Sequence, residues 1–269
     1  MSQQPSWDPG AYARFADERS RPFADLTARI GASSPSLVVD LGCGNGPATT
    51  SLAQRWPDAR VVGVDASESM LDAAREHDTA GRVEWVQADL REWDPASLGQ
   101  APDVLVTNST LQWVPGHLDL LPQWVDALAG GGWLALQVPG NFDAPSHRLM
   151  REVAERHARA GELTAALDLP AVGEPTTYHR FLSRLGCSVD AWETTYLHVL
   201  DAAGEQEHPV LDWVRATGLR PVLDILEDED ERAAFLEPYG EAIAQAYPRT
   251  AEGVYFPFRR VFAVAHTPA

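Results

Sequence analysis

The chain predicts an α/β fold in which a mostly parallel sheet is covered by helices on both faces. Three observations carry that expectation. Short apolar runs alternate with helical stretches from Leu37 to Val138. The first three runs close on an aspartate, at Asp40, Asp65 and Asp89. A glycine-rich turn, Gly42-Cys43-Gly44-Asn45-Gly46, follows the first run at once.

The elements follow in order. Leu37–Leu41 reads as the first strand, and Ala48–Trp56 as a helix stopped by Pro57. Val61–Asp65 is a β-branched second strand. Ser67 suits the N-cap of the next helix, which carries Met70, Leu71 and Ala74. Val83–Ala88 and Val104–Thr107 are the third and fourth strands. Leu118–Ala129 reads as a helix ended by Gly130-Gly131-Gly132, and Trp133–Val138 as the fifth strand. Helices are expected at His147–Ala160 and Thr177–Leu185, and two further strands at Val189–Val199 and Val254–Ala265, seven in all. Asp201–Gly253 reads as mainly helical, with Leu236, Tyr239, Ile243 and Ala246 at helical spacing. The expectation is one domain over 1–269, with an N-terminal lid at 1–30 and helical cap insertions at 141–176 and 201–253.

Composition narrows the function. A hydrophobic fraction of 45% is enough for a full core. No apolar run of about 18 residues exists, so a membrane span is not expected. The start, Met1–Gly10, lacks the basic and apolar regions of a signal peptide. The 2 cysteines make no disulfide framework, and no metal-ligand spacing is evident, so a cytoplasmic protein without metal is expected. A net charge of -18 with no basic run argues against nucleic acid. It also means that an anionic substrate would need a few local arginines working against an unfavourable background field.

A parallel sheet binds its ligand beyond the carboxyl ends of its strands, where the three aspartates and the glycines fall. The glycines let the backbone approach a ligand closely. A dinucleotide fingerprint would place its third glycine at position 47, which is Pro47. The spacing is Gly-x-Gly-x-Gly instead, which disfavours a pyrophosphate and suits a ligand such as the methionine portion of S-adenosylmethionine. Asp65 is placed to accept from ribose hydroxyls, and Asp89 to reach an adenine amino group. Simpler readings apply elsewhere. A glycine-rich turn can be only a turn, Cys43 reads as a small buried residue, and the tryptophans read mostly as packing. His147 and His157 read as surface or cap residues.

Asp40–Gly46, Gly63-Val64-Asp65-Ala66-Ser67, Gln87-Ala88-Asp89-Leu90 and Asn108-Ser109-Thr110-Leu111-Gln112-Trp113 together resemble the class I S-adenosylmethionine methyltransferases. More narrowly, the chain resembles the trans-aconitate 2-methyltransferase family over nearly its whole length. The narrower likeness rests on Trp7-Asp8-Pro9, Tyr12, Phe15, Glu18–Pro22, Leu111-Gln112-Trp113, Leu149–Val153, Thr194-Thr195-Tyr196 and Asp212–Pro221. Arg151 and Arg260 fit that pattern; Arg148, Arg259, the stretch 160–175 and the acidic run 227–231 depart from it.

The resemblance implies a Rossmann-like class I fold and a cofactor site of Asp40, Gly42, Cys43, Gly44, Asn45, Gly46, Asp65, Ala66, Ser67, Met70, Ala88, Asp89, Leu90, Asn108 and Ser109. It implies methyl transfer to a carboxylate of trans-aconitate, a small tricarboxylate, giving a monomethyl ester and S-adenosylhomocysteine. A carboxylate with a pKa near ~4 is already ionised at neutral pH, so no catalytic acid or base is named. Arginine suits the other carboxylates because its planar fork grips them through two hydrogen bonds. Arg19, Arg21, Arg220 and Arg260 are the candidates, with Tyr12, Tyr178 and Tyr196 as donors and Gln112 and Trp113 beside the methyl group. For each arginine, ordinary ion pairing is the competing reading. Two rivals stay open: methylation of another small acid, a phenol or a carbon, for which His117 is the nearby base, and a non-catalytic cofactor-binding subunit. A monomer or homodimer is expected.

Overall fold

A computed structural model describes residues 16–168 and 172–269. The chain divides into two compact units. One, the sheet unit, holds 19–139, 170–194 and 260–269; the other, the helical unit, holds 140–169 and 195–259. The cap segments expected at 141–176 and 201–253 fall mostly in the helical unit.

In the sheet unit, strands β1 (Leu37–Leu41), β2 (Arg60–Asp65), β3 (Val83–Gln87), β4 (Val104–Asn108) and β5 (Trp133–Pro139) pair in parallel in the order β3-β2-β1-β4-β5. Two long strands, β6 (Ser188–Leu200) and β8 (Gly253–His266), each contribute residues to both units. β8 runs antiparallel to β5, from Trp133↔His266 to Pro139↔Arg260. A two-residue strand, β7 (Arg249–Thr250), pairs with β8 and brings the sheet to eight strands, one more than expected. β1 is buried throughout, as a sheet covered on both faces requires.

Helix α1 spans Ala16–Ala28. Phe23, Leu26 and Ile30 are buried. The next helix, α2 (Pro47–Arg55), fastens this stretch: the Arg55 guanidinium donates to the Thr27 and Ile30 carbonyls, and Trp56 Nε1 donates to Ala32 O at 3.1 Å. The end of the expected lid segment is therefore part of the core. Helix α3 (Glu68–His77) is capped as expected, with Ser67 Oγ accepting from Met70 N at 3.4 Å. The helix expected at Leu118–Ala129 is shorter: a 3-10 turn at His117–Leu120 leads into α4 (Leu121–Ala127).

The helical unit starts with α5 (Pro145–Arg156) and α6 (Ala160–Leu167). The single helix expected at His147–Ala160 breaks between them, where Arg159 reaches the Ile225 carbonyl and the Glu231 carboxylate. Helix α7 (Pro175–Arg184) belongs to the sheet unit. Then α8 (Pro209–Arg215), α9 (Arg220–Ile225) and α10 (Glu229–Ala246) complete the helical unit. Its core gathers Trp213, Phe235, Tyr239, Ile243 and Phe256. Phe235 supplies the buried face of α10 where the spacing had suggested Leu236 and Ala246; Leu236 is half-buried and Ala246 exposed. Tyr239 and Tyr247 tie α10 to α5, their hydroxyls meeting Ser146 O at 2.8 Å and Ser146 N at 3.1 Å.

Candidate active site

The carboxyl ends of β1, β2 and β3 assemble a cradle from the glycine turn. Gly42 N and Cys43 N both donate to Val64 O, at 2.7 and 3.0 Å, which locks the turn onto β2. Gly42 has φ 78°, and a Cβ there would lie 2.2 Å from the Thr110 side chain. Gly44 differs. It has φ 56° and open space where a Cβ would stand, so its backbone faces a void. Gly44 N donates to Asp65 Oδ2 at 2.9 Å, and Ser67 N to Asp65 Oδ1 at 2.9 Å. One carboxylate thus organises both sides of the cradle.

The two inner acids have different roles. Asp40 is buried, and its Oδ2 accepts from Thr49 Oγ1 at 2.6 Å. Burial pushes its carboxyl up to about 7; the Thr49 bond opposes the shift and the Asp65 charge adds to it. Asp40 therefore lies beneath the turn and bonds to α2. Asp65 is only half-buried; burial raises its pKa, opposed by the amides of Ser67, Gly44 and Ala66. The buried Cys43 thiol is pushed up by burial and by Asp40 and Asp65, so it stays protonated and serves as packing.

At β3, Leu90 is buried, Ala88 is half-buried, and Asp89 pairs with the Arg91 guanidinium through both oxygens. That bond holds the Asp89 carboxyl below its usual range. An adenine amino group at Asp89 would share it with Arg91, an arginine that sequence reasoning passed over two residues downstream. Met70 is buried, and Asn45, Ala66 and Ser67 are half-buried around the cradle.

After β4, Ser109 adopts φ 57°, unusual for a residue other than glycine. Its Oγ accepts from Arg260 Nη1 at 3.0 Å, and its carbonyl accepts from Gln112 Nε2 at 2.5 Å. Arg260 and Gln112 are both buried, and Trp113 is half-buried on the same turn. Asn108 Oδ1 and Gln112 Oε1 are buried with no hydrogen-bond partner among the described residues. These orphaned atoms and the void at Gly44 fit a polar ligand in the cradle.

The other expected contacts scatter. Tyr178 is a correction: it is fully buried in the core, with its hydroxyl 2.9 Å from His117 Nε2 and accepting from Gly173 N at 3.3 Å. Burial raises its hydroxyl to about 12, so it is a structural residue of α7. His117 is buried with it, and burial lowers its pKa. Arg21 is exposed on α1. Tyr196 on β6 and Arg220, the first residue of α9, belong to the helical unit. Tyr12 and the Arg19 side chain lie outside the described residues. Among the described residues, no group of three histidine, cysteine, aspartate or glutamate side chains is placed to hold a metal. No helix described is long and apolar enough to cross a membrane.

A β3-β2-β1-β4-β5 parallel order, an antiparallel β8 beside β5, and a Gly-x-Gly-x-Gly cradle braced by Asp65 define a class I S-adenosylmethionine-dependent methyltransferase. Residues 38–132 match the family model described as a methyltransferase domain. The chain is 53% identical, over 98% of both chains, to the trans-aconitate 2-methyltransferase of Streptomyces avermitilis. It is 51% identical to that of Streptomyces coelicolor, over 98% of this chain and 88% of the relative. The chain belongs to the trans-aconitate 2-methyltransferase family. Among solved structures, it is similar in fold to the Haemonchus contortus phosphoethanolamine N-methyltransferase 2 in complex with S-adenosyl-L-methionine. That likeness has a TM-score of 0.54 at 15% identity, over 97% of this chain and 56% of the other.

Proposed function

We propose that the protein transfers the methyl group of S-adenosylmethionine to one carboxylate of trans-aconitate, releasing the monomethyl ester and S-adenosylhomocysteine. Identity of 53% over 98% of the chain to a relative of that name supports the substrate. The single structural observation that carries the reading is the buried Arg260, bonded to Ser109 at the carboxyl end of β4. A guanidinium presents a planar fork of donors, and a carboxylate is its best geometric match.

When bound, the cofactor supplies a methyl group already activated on a sulfonium. Asp65 holds the ribose end while the Gly44 backbone stays open to the ligand. The attacking carboxylate is ionised at neutral pH, so the protein has to orient one oxygen and strip its water. Arg260 holds the acid, with Gln112 and Trp113 beside it. No proton has to move in this step. His117, the base considered for such a reaction, is bonded to Tyr178 in the core. This weakens the phenol and carbon alternatives. The unbroken cradle argues against a non-catalytic subunit. Tyr12, Arg19 and Arg21 are proposed as further contacts for the acid. A cytoplasmic location completes the proposal.

The test is incubation with S-adenosylmethionine and a panel of di- and tricarboxylic acids, with methyl esters read by mass spectrometry. A monomethyl ester of trans-aconitate is expected. Methylation of a phenol or carbon nucleophile, with no acid esterified, would overturn the proposal.

A further inference from the structure

Gln137 stands in β5 between Leu136 and Val138, on a strand where its side chain is 0% exposed. Burying an amide in such a place is unfavourable unless it is bonded. Half of this amide is satisfied, since Oε1 accepts from Ser109 Oγ at 2.9 Å. The other half, Nε2, is buried with no partner among the described residues.

The hydroxyl of Ser109 faces the oxygen end of the amide. Arg260 Nη1 can only donate, and it donates to Ser109 Oγ at 3.0 Å. Ser109 Oγ in turn donates its single proton to Gln137 Oε1. The amide NH2 is turned away from the serine with both of its protons unused.

Ser109 is held from every side. Its N donates to Gln137 O at 3.0 Å, its carbonyl accepts from Gln112, and its hydroxyl bridges Gln137 to Arg260. Its φ of 57° is a strained conformation, costing about 1 kcal/mol or more, that persists only where the surroundings over-determine it. Such residues gather at ligand clamps. The construction places a buried cation and a buried, unused neutral donor on either side of one braced hydroxyl.

We propose that Gln137 is a specificity-determining residue that, with Arg260, grips one spectator carboxylate of the acid. The guanidinium supplies the charge. The Gln137 NH2 supplies a further hydrogen bond without adding a second cation. Ser109 aims both groups and so belongs to the acid rather than to the cofactor. This inference rests on the proposed function.

The experiment uses the full-length enzyme with trans-aconitate and with glutaconate, itaconate and mesaconate, each of which lacks one of its carboxylates. Acids that are not turned over are measured as competitive inhibitors. Gln137→Leu keeps the volume and removes both hydrogen-bonding groups. Gln137→Glu keeps the acceptor for Ser109 and sets a carboxylate oxygen where the NH2 stood. We expect kcat/KM for trans-aconitate to fall at least tenfold in Gln137→Leu and further in Gln137→Glu. Affinity for S-adenosylhomocysteine should stay within twofold. The dicarboxylate that lacks the gripped group should be handled alike by wild type and Gln137→Leu.

If Gln137→Leu fails to fold, Ser109→Ala is the second variant, with the same acid-selective loss expected. Unchanged efficiency with trans-aconitate, or an equal loss for all four acids, overturns the assignment while leaving the proposed function standing. Wild-type enzyme that esterifies none of the four overturns both.

Discussion

Replacing Asp40 with asparagine removes a buried charge from beneath the glycine turn while keeping an oxygen for Thr49. Asp40 Oδ2 accepts from Thr49 Oγ1 at 2.6 Å, and the amide oxygen of asparagine can do the same. In the wild type, burial raises the Asp40 carboxyl from 3.8 to about 7. Between those values the folded protein binds a proton that the unfolded chain has released. Stability contributed by this group therefore falls as pH rises, fully present at low pH and lost by the time pH passes the folded pKa. From pH 5 to pH 8, the loss is about 2–3 kcal/mol. Asparagine does not titrate, so the melting temperature of Asp40→Asn minus that of wild type should rise across this range by roughly 4–12 °C. Thermal melts followed by circular dichroism at pH 5, 6, 7 and 8 measure it, and the subtraction removes every other titrating group. A gap that stays constant with pH would refute the buried, raised carboxyl.

Three further outcomes follow from the site. Asp65→Ala should weaken S-adenosylhomocysteine binding by about 1–3 kcal/mol through loss of a charged acceptor, and unchanged affinity by calorimetry would remove Asp65 from the cofactor site. His117→Asn should keep turnover within about tenfold, roughly 1.4 kcal/mol, because the histidine is bonded into the core; a thousandfold loss in folded protein would revive a base-requiring reaction. Gly42→Ala and Gly44→Ala should part company. The first drives a Cβ to 2.2 Å from Thr110 and should unfold or strongly destabilise the protein. The second meets open space, so it should fold at a cost of about 1 kcal/mol and lose cofactor affinity instead. Equal melting temperatures for the two would contradict the distinction.

The parallel strands, their order of aspartates and the glycine turn were legible because each depends on local chemistry: an apolar run, a glycine that must take positive φ, an aspartate at a strand end. The Ser67 cap was legible for the same reason. Partners brought from far along the chain were not. Tyr178 looked like a donor for the acid, yet 61 residues separate it from His117, the core partner that claims its hydroxyl. The break after Arg156 depends on Arg159 reaching Ile225 and Glu231, which no helical periodicity reveals. Phe235 rather than Leu236 faces inward on α10 because the residues packed against it fix the rotation of that helix. Gln137 did leave a signal: a lone glutamine within the apolar run Trp133-Leu134-Ala135-Leu136-Gln137-Val138 is out of place in a buried strand. Arg260 was legible only through the family pattern, and its link to Ser109 crosses 151 residues.

The most direct test is a competition in one vessel. Equal concentrations of trans-aconitate, its cis isomer, citrate, isocitrate and a phenol are offered with limiting S-adenosylmethionine, and each methylated product is counted against S-adenosylhomocysteine formed. The account predicts one monomethyl ester per S-adenosylhomocysteine, with trans-aconitate taking at least nine-tenths of the methyl groups and the partition unchanged between pH 6 and 8. Methyl groups spread evenly over the acids, or delivered to the phenol with a rate that climbs through a histidine-like pKa, would contradict it.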